Sequence, residues 1–226
     1  MLLEFTVKNF LSFKDEVTLS LYALKEVTGK EQYNLVSVGG QHILKTVVIY
    51  GANASGKSNL IKAMNFMKSL VTGSVELNPQ QELDLDTFQL HTETQHAPCE
   101  FEMVFVHQDI YYRYGLVIDK QRILKEWLYY APGTREIKLF ERKLHNNVYT
   151  FKLGKPFAEG QLIVDHQLAR ENALFLAVVA KFNGTLSRQI LDWFTHHFQI
   201  LFADLQQFKH LTIKLLKEAT NRESLV

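Results

Sequence analysis

The chain has 226 residues, 46% of them apolar, with 25 Lys and Arg against 24 Asp and Glu and a formal net charge of +1. That length buries one sizeable core, or a core and a small satellite; the balanced charge excludes a global field that would recruit nucleic acid or anionic membrane, so any nucleic-acid contact must be local or come through a partner. A single cysteine, Cys99, excludes an internal disulfide. No apolar run reaches the roughly 20 residues that cross a bilayer, the first ten residues alternate like a strand instead of a signal peptide, and the expectation is a cytoplasmic protein without a membrane partner.

From Leu3 to Val7 and from Val17 to Leu21 apolar and polar residues alternate, which predicts two strands joined as a hairpin through Asn9, Ser12 and Lys14. Thr46-Val47-Val48-Ile49-Tyr50 is short, β-branched and apolar, the pattern of a strand covered on both faces in a central parallel sheet, and the opening hairpin is expected to pack beside it. A glycine loop follows, and then Leu60, Met64, Met67 and Val71 fall at helical spacing and predict a helix ending near Gly73. The polar stretch from Gly73 to Pro98, broken at Asn78-Pro79 and Ala97-Pro98, reads as a long loop with short pieces of structure. Between Glu100 and Leu153 five β-rich runs are separated by Asp119-Lys120, Pro132-Gly133 and Asn146-Asn147, which predicts an antiparallel meander distinct from the parallel sheet. Beyond Gly160 the periodicity turns helical, around Leu168 to Phe182, Leu186 to Phe198 and Ile213 to Ala219.

Gly51-Ala52-Asn53-Ala54-Ser55-Gly56-Lys57-Ser58 fits G-x-x-x-x-G-K-[S/T] without a mismatch. Chance alone produces such a match in roughly one chain of this length in a hundred, and here a predicted strand precedes it and a predicted helix follows. The residue types are those a phosphate needs. Gly51 and Gly56 carry no Cβ, so the backbone can curl and turn successive N–H groups inward, and the helix N-terminus adds partial positive charge. Lys57 is expected to reach the β- and γ-phosphates of ATP, and the Ser58 hydroxyl to ligate Mg²⁺. Ala52, Asn53, Ala54, Ser55 and Asn59 complete the expected cofactor-binding segment.

The opening LEFTVKNFLSFKDEVTLSL, followed by VVIYGANASGKSNLIKAM, resembles ABC-type ATPase heads of the SMC and RecF kind, and more particularly the bacterial AAA/ABC-like ATPases of OLD-type, retron-linked and abortive-infection antiphage systems. YYRYGLVI, KEWLYY, LFER and ARENALFLAVVAKFN look like the same group. The resemblance implies an α/β fold, a P-loop NTPase ABC-like head lobe with an antiparallel β arm and following helices. It implies residues 1–160 as the N-terminal lobe and 161–226 as a helical segment leading toward a C-terminal lobe. That lobe would supply the signature motif, the acidic pair of Walker B and a switch His, none of which is found here; the catalytic residues stay unassigned, and the chain reads as a truncated product, a fragment or half of a split ATPase. Implied partners are a second ATPase lobe or another copy of the chain, with an effector nuclease subunit as a further candidate. The implied function is nucleotide control in antiphage defence; the alternatives are a DNA-maintenance ATPase fragment of SMC or RecF type and a degenerate product without activity.

Other constellations are weaker. Leu186-Ser187-Arg188-Gln189 lacks the glycine of a signature motif, and Leu116-Val117-Ile118-Asp119 is followed by Lys120 where a catalytic Glu belongs, so the expectation is a strand ending in a turn. Glu82, Asp84 and Asp86 read as a solvated loop face. His91, His96 and Cys99 read as solvated side chains without a fourth metal ligand, and His196-His197 as a helix-end pair. Tyr111, Tyr112, Tyr114, Trp127, Tyr129 and Tyr130 alternate along strands and are expected mainly in a sheet core. In the hairpin, Asn9, Ser12, Phe13 and Lys14 correspond to the part that in similar ATPases lies near adenine or the phosphates. A GTPase is disfavoured, since D-x-x-G and [N/T]-K-x-D are absent from the sequence.

Overall fold

The computed structural model describes residues 1–24 and 29–202. The helix expected at Ile213 to Ala219 lies outside the described residues. Seven strands form one antiparallel sheet: β1 (Leu2–Lys8), β2 (Val17–Ser20), β5 (Cys99–His107), β6 (Ile110–Ile118), β7 (Ile123–Ala131), β8 (Ile137–His145) and β9 (Val148–Leu153), in the order β2-β1-β5-β6-β7-β8-β9. The opening hairpin and the meander are therefore one continuous sheet. Val7 faces Val17 on one side and Phe101 on the other. This corrects the expectation that the hairpin packs beside the strand at Thr46 to Tyr50.

That strand is itself the second correction. Residues 46–50 form no strand; Val48 is 77% and Tyr50 90% exposed. A run patterned for burial on both faces becomes a strand only when neighbours supply ladder partners, and among the described residues only Thr46 is tied, by the side chain of Asn34 at 2.8 and 2.9 Å. The named strand pairings are all antiparallel, so the expected parallel sheet is not formed among the described residues.

A small hairpin, β3 (Leu35–Val38) and β4 (Gln41–Leu44), turns through Gly39 and Gly40, both at positive φ. A Gly-Gly pair between two short apolar runs is the sequence signal for such a turn.

Helices cover one face of the main sheet. α1 (Lys57–Gly73) buries Leu60, Ala63, Met64, Met67, Leu70 and Val71, the expected stripe. Phe66 bridges Phe10 and Phe101 with ring centroids 5.4 and 5.3 Å away, which fixes the helix over the hairpin. The later helices are shorter than the periodicity suggests: α2 (Gln161–Asp165), α3 (Phe175–Lys181) and α4 (Thr185–Asp192), then a π-helical turn, Trp193–His197. α3 is buried all round from Phe175 to Ala180. Trp193 stacks on Phe105 at 4.0 Å, so helical layer and sheet share one core.

Candidate functional site

The glycine loop sits between the unpaired residues 46–50 and the first turn of α1. Gly56 adopts φ +94 and Ala54 φ 63, the left-handed conformations that fold the chain back before the helix starts at Lys57. A Cβ at Gly56 would meet Ser12 Oγ at 2.9 Å and one at Gly51 would meet Ser55 Oγ at 3.0 Å, so both glycines occupy places where the backbone is approached closely. Asn59 Nδ2 donates to Ser12 Oγ at 2.9 Å and couples the first helical turn to the hairpin. Of the hairpin residues, Ser12 and Phe13 therefore lie against the loop, whereas Asn9 is buried and donates to the carbonyls of Thr94, Ala97 and Pro98. Ala52, Asn53, Ala54, Ser55 and Ser58 are exposed, and the Lys57 ammonium folds back onto the carbonyls of Gly51 and Ala52 at 2.8 and 2.6 Å. Those carbonyls hold the charge at the mouth of the loop, beside the N-terminus of α1. The cradle fits a phosphate: glycine backbone, a helix N-terminus without an acidic residue in its first turn, and a cation within reach.

Elsewhere the candidates separate. Asp119 follows β6 and accepts from the amides of Gln121 and Arg122, both at 2.8 Å, the turn that its sequence suggests. Ser187 is buried on α4, its amide bound by Glu159. Glu82, Asp84 and Asp86 point outward between buried Leu83 and Leu85. Cys99 departs from expectation. It is fully buried, its thiol donating to Asn9 O at 2.6 Å, because its strand alternation faces it into the core. Of the aromatics, Tyr112, Tyr114 and Trp127 are buried and Tyr111, Tyr129 and Tyr130 half-buried.

Two acidic residues that sequence reasoning passed over organise the helical layer. Glu126, buried on β7, accepts from the amides of Phe175 at 2.6 Å and Leu176 at 3.0 Å and from Tyr114 Oη at 2.8 Å. Arg142, its neighbour on β8, donates to the carbonyls of Ala173 and Arg170 at 2.7 and 2.8 Å. Glu159 caps α4 in the same way through Leu186 and Ser187. The legible signal is an acidic or basic residue at a core-facing strand position, Glu126 in KEWLYY and Arg142 in LFER, which must find a partner. Those stretches thus hold the helices on the sheet.

Residues 47–156, just under half of the chain, match the family model described as "AAA domain, putative AbiEii toxin, Type IV TA system". No curated protein matches the sequence. The matched stretch runs from the residues before the glycine loop through α1 and the whole meander, β5 to β9. Over that stretch this mixed α/β chain is similar to AAA-type, ATPase-like domains of an abortive-infection family.

Proposed function

We propose that the chain is the ATP-binding part of an ABC-like ATPase acting as a nucleotide-controlled subunit in antiphage defence. The observation that carries this reading is the left-handed turn at Ala54 and Gly56 that leads the glycine loop into α1, with the Lys57 ammonium on the carbonyls of Gly51 and Ala52. An incoming polyphosphate offers that ammonium charged oxygens in place of neutral carbonyls, a charge-assisted exchange. Backbone N–H groups from Gly51 to Ser58 and the helix N-terminus take the remaining phosphate charge, Asn53 and Ser55 shape the γ-phosphate side, and Asn59 keeps the first helical turn in place against Ser12. Mg²⁺, if bound, would be held by the Ser58 hydroxyl and would neutralise phosphate charge.

The exposed apolar run Val47 to Tyr50 supports a partner on the same side: a second ATPase lobe, or another copy of the chain, whose strand completes the ladder. Nucleotide control then follows from population shift, since a γ-phosphate gripped by both halves favours closure and its loss reverses it. The effector in such an assembly would be a separate nuclease subunit.

The test is Mg·ATP-induced thermal stabilisation. The wild type is expected to gain stability with ligand, and Lys57→Ala to lose that gain, because the variant removes a charge-assisted contact worth about 1.5–3 kcal/mol. An unchanged shift in the variant would place the nucleotide elsewhere.

A further inference from the structure

Along β5 the alternation that turns Phe101, Met103 and Phe105 into the helical layer carries His107 to the same side at the end of the strand. The turn that follows, Gln108-Asp109, has φ values of 51 and 61, the left-handed pair of a tight hairpin, so His107 is held by a rigid corner paired to Ile110. His107 is 9% exposed, and its Nε2 is buried with no hydrogen-bond partner. A buried polar nitrogen in that condition calls for an explanation.

Opposite it stands the π-helical turn. In an α-helix residues five apart point about 140° from each other. Here Phe198 N donates to Trp193 O at 2.8 Å, an i to i+5 bond, and the widened turn brings His197 over Asp192, with Nε2 3.4 Å from Oδ2. The other carboxylate oxygen takes His196 Nδ1 at 2.7 Å. The His107 and His197 rings are 5.1 Å apart, and one ligand atom from each of His107, Asp192 and His197 lies within 4.8 Å of the others. A helix-end pair explains His196 on Asp192; it leaves His197 and the orphaned His107 nitrogen without a reason for converging.

We propose that His107, Asp192 and His197 form a binding site for a divalent transition-metal ion, zinc foremost. Zinc bonds nitrogen at about 2.0–2.1 Å, so the ligand atoms of a tetrahedral site are separated by roughly 3.3 Å. The Asp192–His197 edge already has that length, and His107 closes the third corner by moving in by about 1.5 Å or less. Two imidazoles and a carboxylate select zinc-type ions over Mg²⁺ and Ca²⁺, which prefer oxygen. Burial, and then the neighbouring His197, hold His107 below the usual imidazole range, which keeps the ring in the neutral form that ligates. His107 and Asp192 also line a groove of about 670 Å³, together with Glu76, Lys181, Arg188 and His196. A bound ion would pin the corner of the β5–β6 hairpin to the end of the helical layer. The site does not depend on the nucleotide reading.

The test uses the untagged full chain, freed of metal by a chelator and titrated with Zn²⁺ by calorimetry, with Co²⁺ absorption as a report of tetrahedral geometry. One Zn²⁺ per chain is expected, with no comparable binding of Mg²⁺. Asp192 and His197 are exposed, so His197→Ala and Asp192→Asn are expected to fold, which circular dichroism checks, and to weaken Zn²⁺ binding at least tenfold. His145→Ala, an exposed histidine on β8, leaves binding unchanged. Absence of a stoichiometric site, or wild-type affinity in both His197→Ala and Asp192→Asn, overturns the proposal.

Discussion

At Cys99 the thiol sits inside the hairpin–sheet seam, donating to the carbonyl of Asn9, while Asn9 ties down the loop ending at Pro98. Burial, with the negative charge of Asp86 nearby, pushes the thiol up to about 12. The thiolate is the reactive form, so Cys99 is expected to resist a disulfide reagent such as Ellman's in the native protein at pH 8 and to react at once in denaturant. Rapid native labelling would mean that the seam opens. Nothing around Cys99 in the sequence announces this burial except the alternation Cys99, Phe101, Met103, Phe105, which places it on the apolar face. The opposite face of the sheet gives a matching lesson. Trp127 lies across Gly115, where a Cβ would come within 2.2 Å of the indole, and its Nε1 donates to Glu102 at 2.7 Å. Glu102 and Glu136 pair with Arg113, and Glu141 with Lys138 and Lys143, so cations and aromatics interleave there with their charges balanced.

Among elements, α3 shows why periodicity misplaced a helix boundary. Leu168 to Phe182 reads as one helix, yet α3 begins at Phe175 and its N-cap position is Leu174, which has no capping side chain. The missing cap comes from another element, the Glu126 carboxylate on β7, in a core where Arg142 supplies the balancing charge. Burial pushes the Glu126 carboxyl above its usual range, against the pull of Arg142 and the two amides. Glu126→Ala leaves those amides and the guanidinium short of a partner in a dry core, and the expected loss of stability is about 3–5 kcal/mol. Urea denaturation followed by circular dichroism measures it; a loss below about 1 kcal/mol would show that the helix does not depend on this carboxylate.

For the whole molecule, the glycine loop lies at the margin of the shared core, next to an apolar run whose ladder partners are not among the described residues. Phosphate cradling and water activation are separate tasks. Asp119, the carboxylate first considered for the second task, is engaged in its own turn. Purified chain alone is therefore expected to release phosphate from ATP at background, equally in wild type and Lys57→Ala, and to gain activity only with a complementary lobe or subunit. Steady-state phosphate release decides it. Robust wild-type turnover abolished in Lys57→Ala would mean that a catalytic carboxylate lies within this chain, and Asp119 would be the first to replace.

The sequence by itself determined the opening hairpin, the meander with its turns, α1 and its buried stripe, and the glycine loop, because each is written in local spacing: alternation for strands, three-and-four periodicity for α1, and glycine where φ must be positive. Tertiary structure decided the rest. Whether residues 46–50 pair depends on a neighbour and not on their own β-branched run; where α3 starts depends on Glu126 reaching it from the sheet; and the meeting of His107 with Asp192 and His197 depends on a hairpin corner and a π-helical turn packed face to face. These are contacts between residues far apart in the chain, and no periodicity within one segment encodes them.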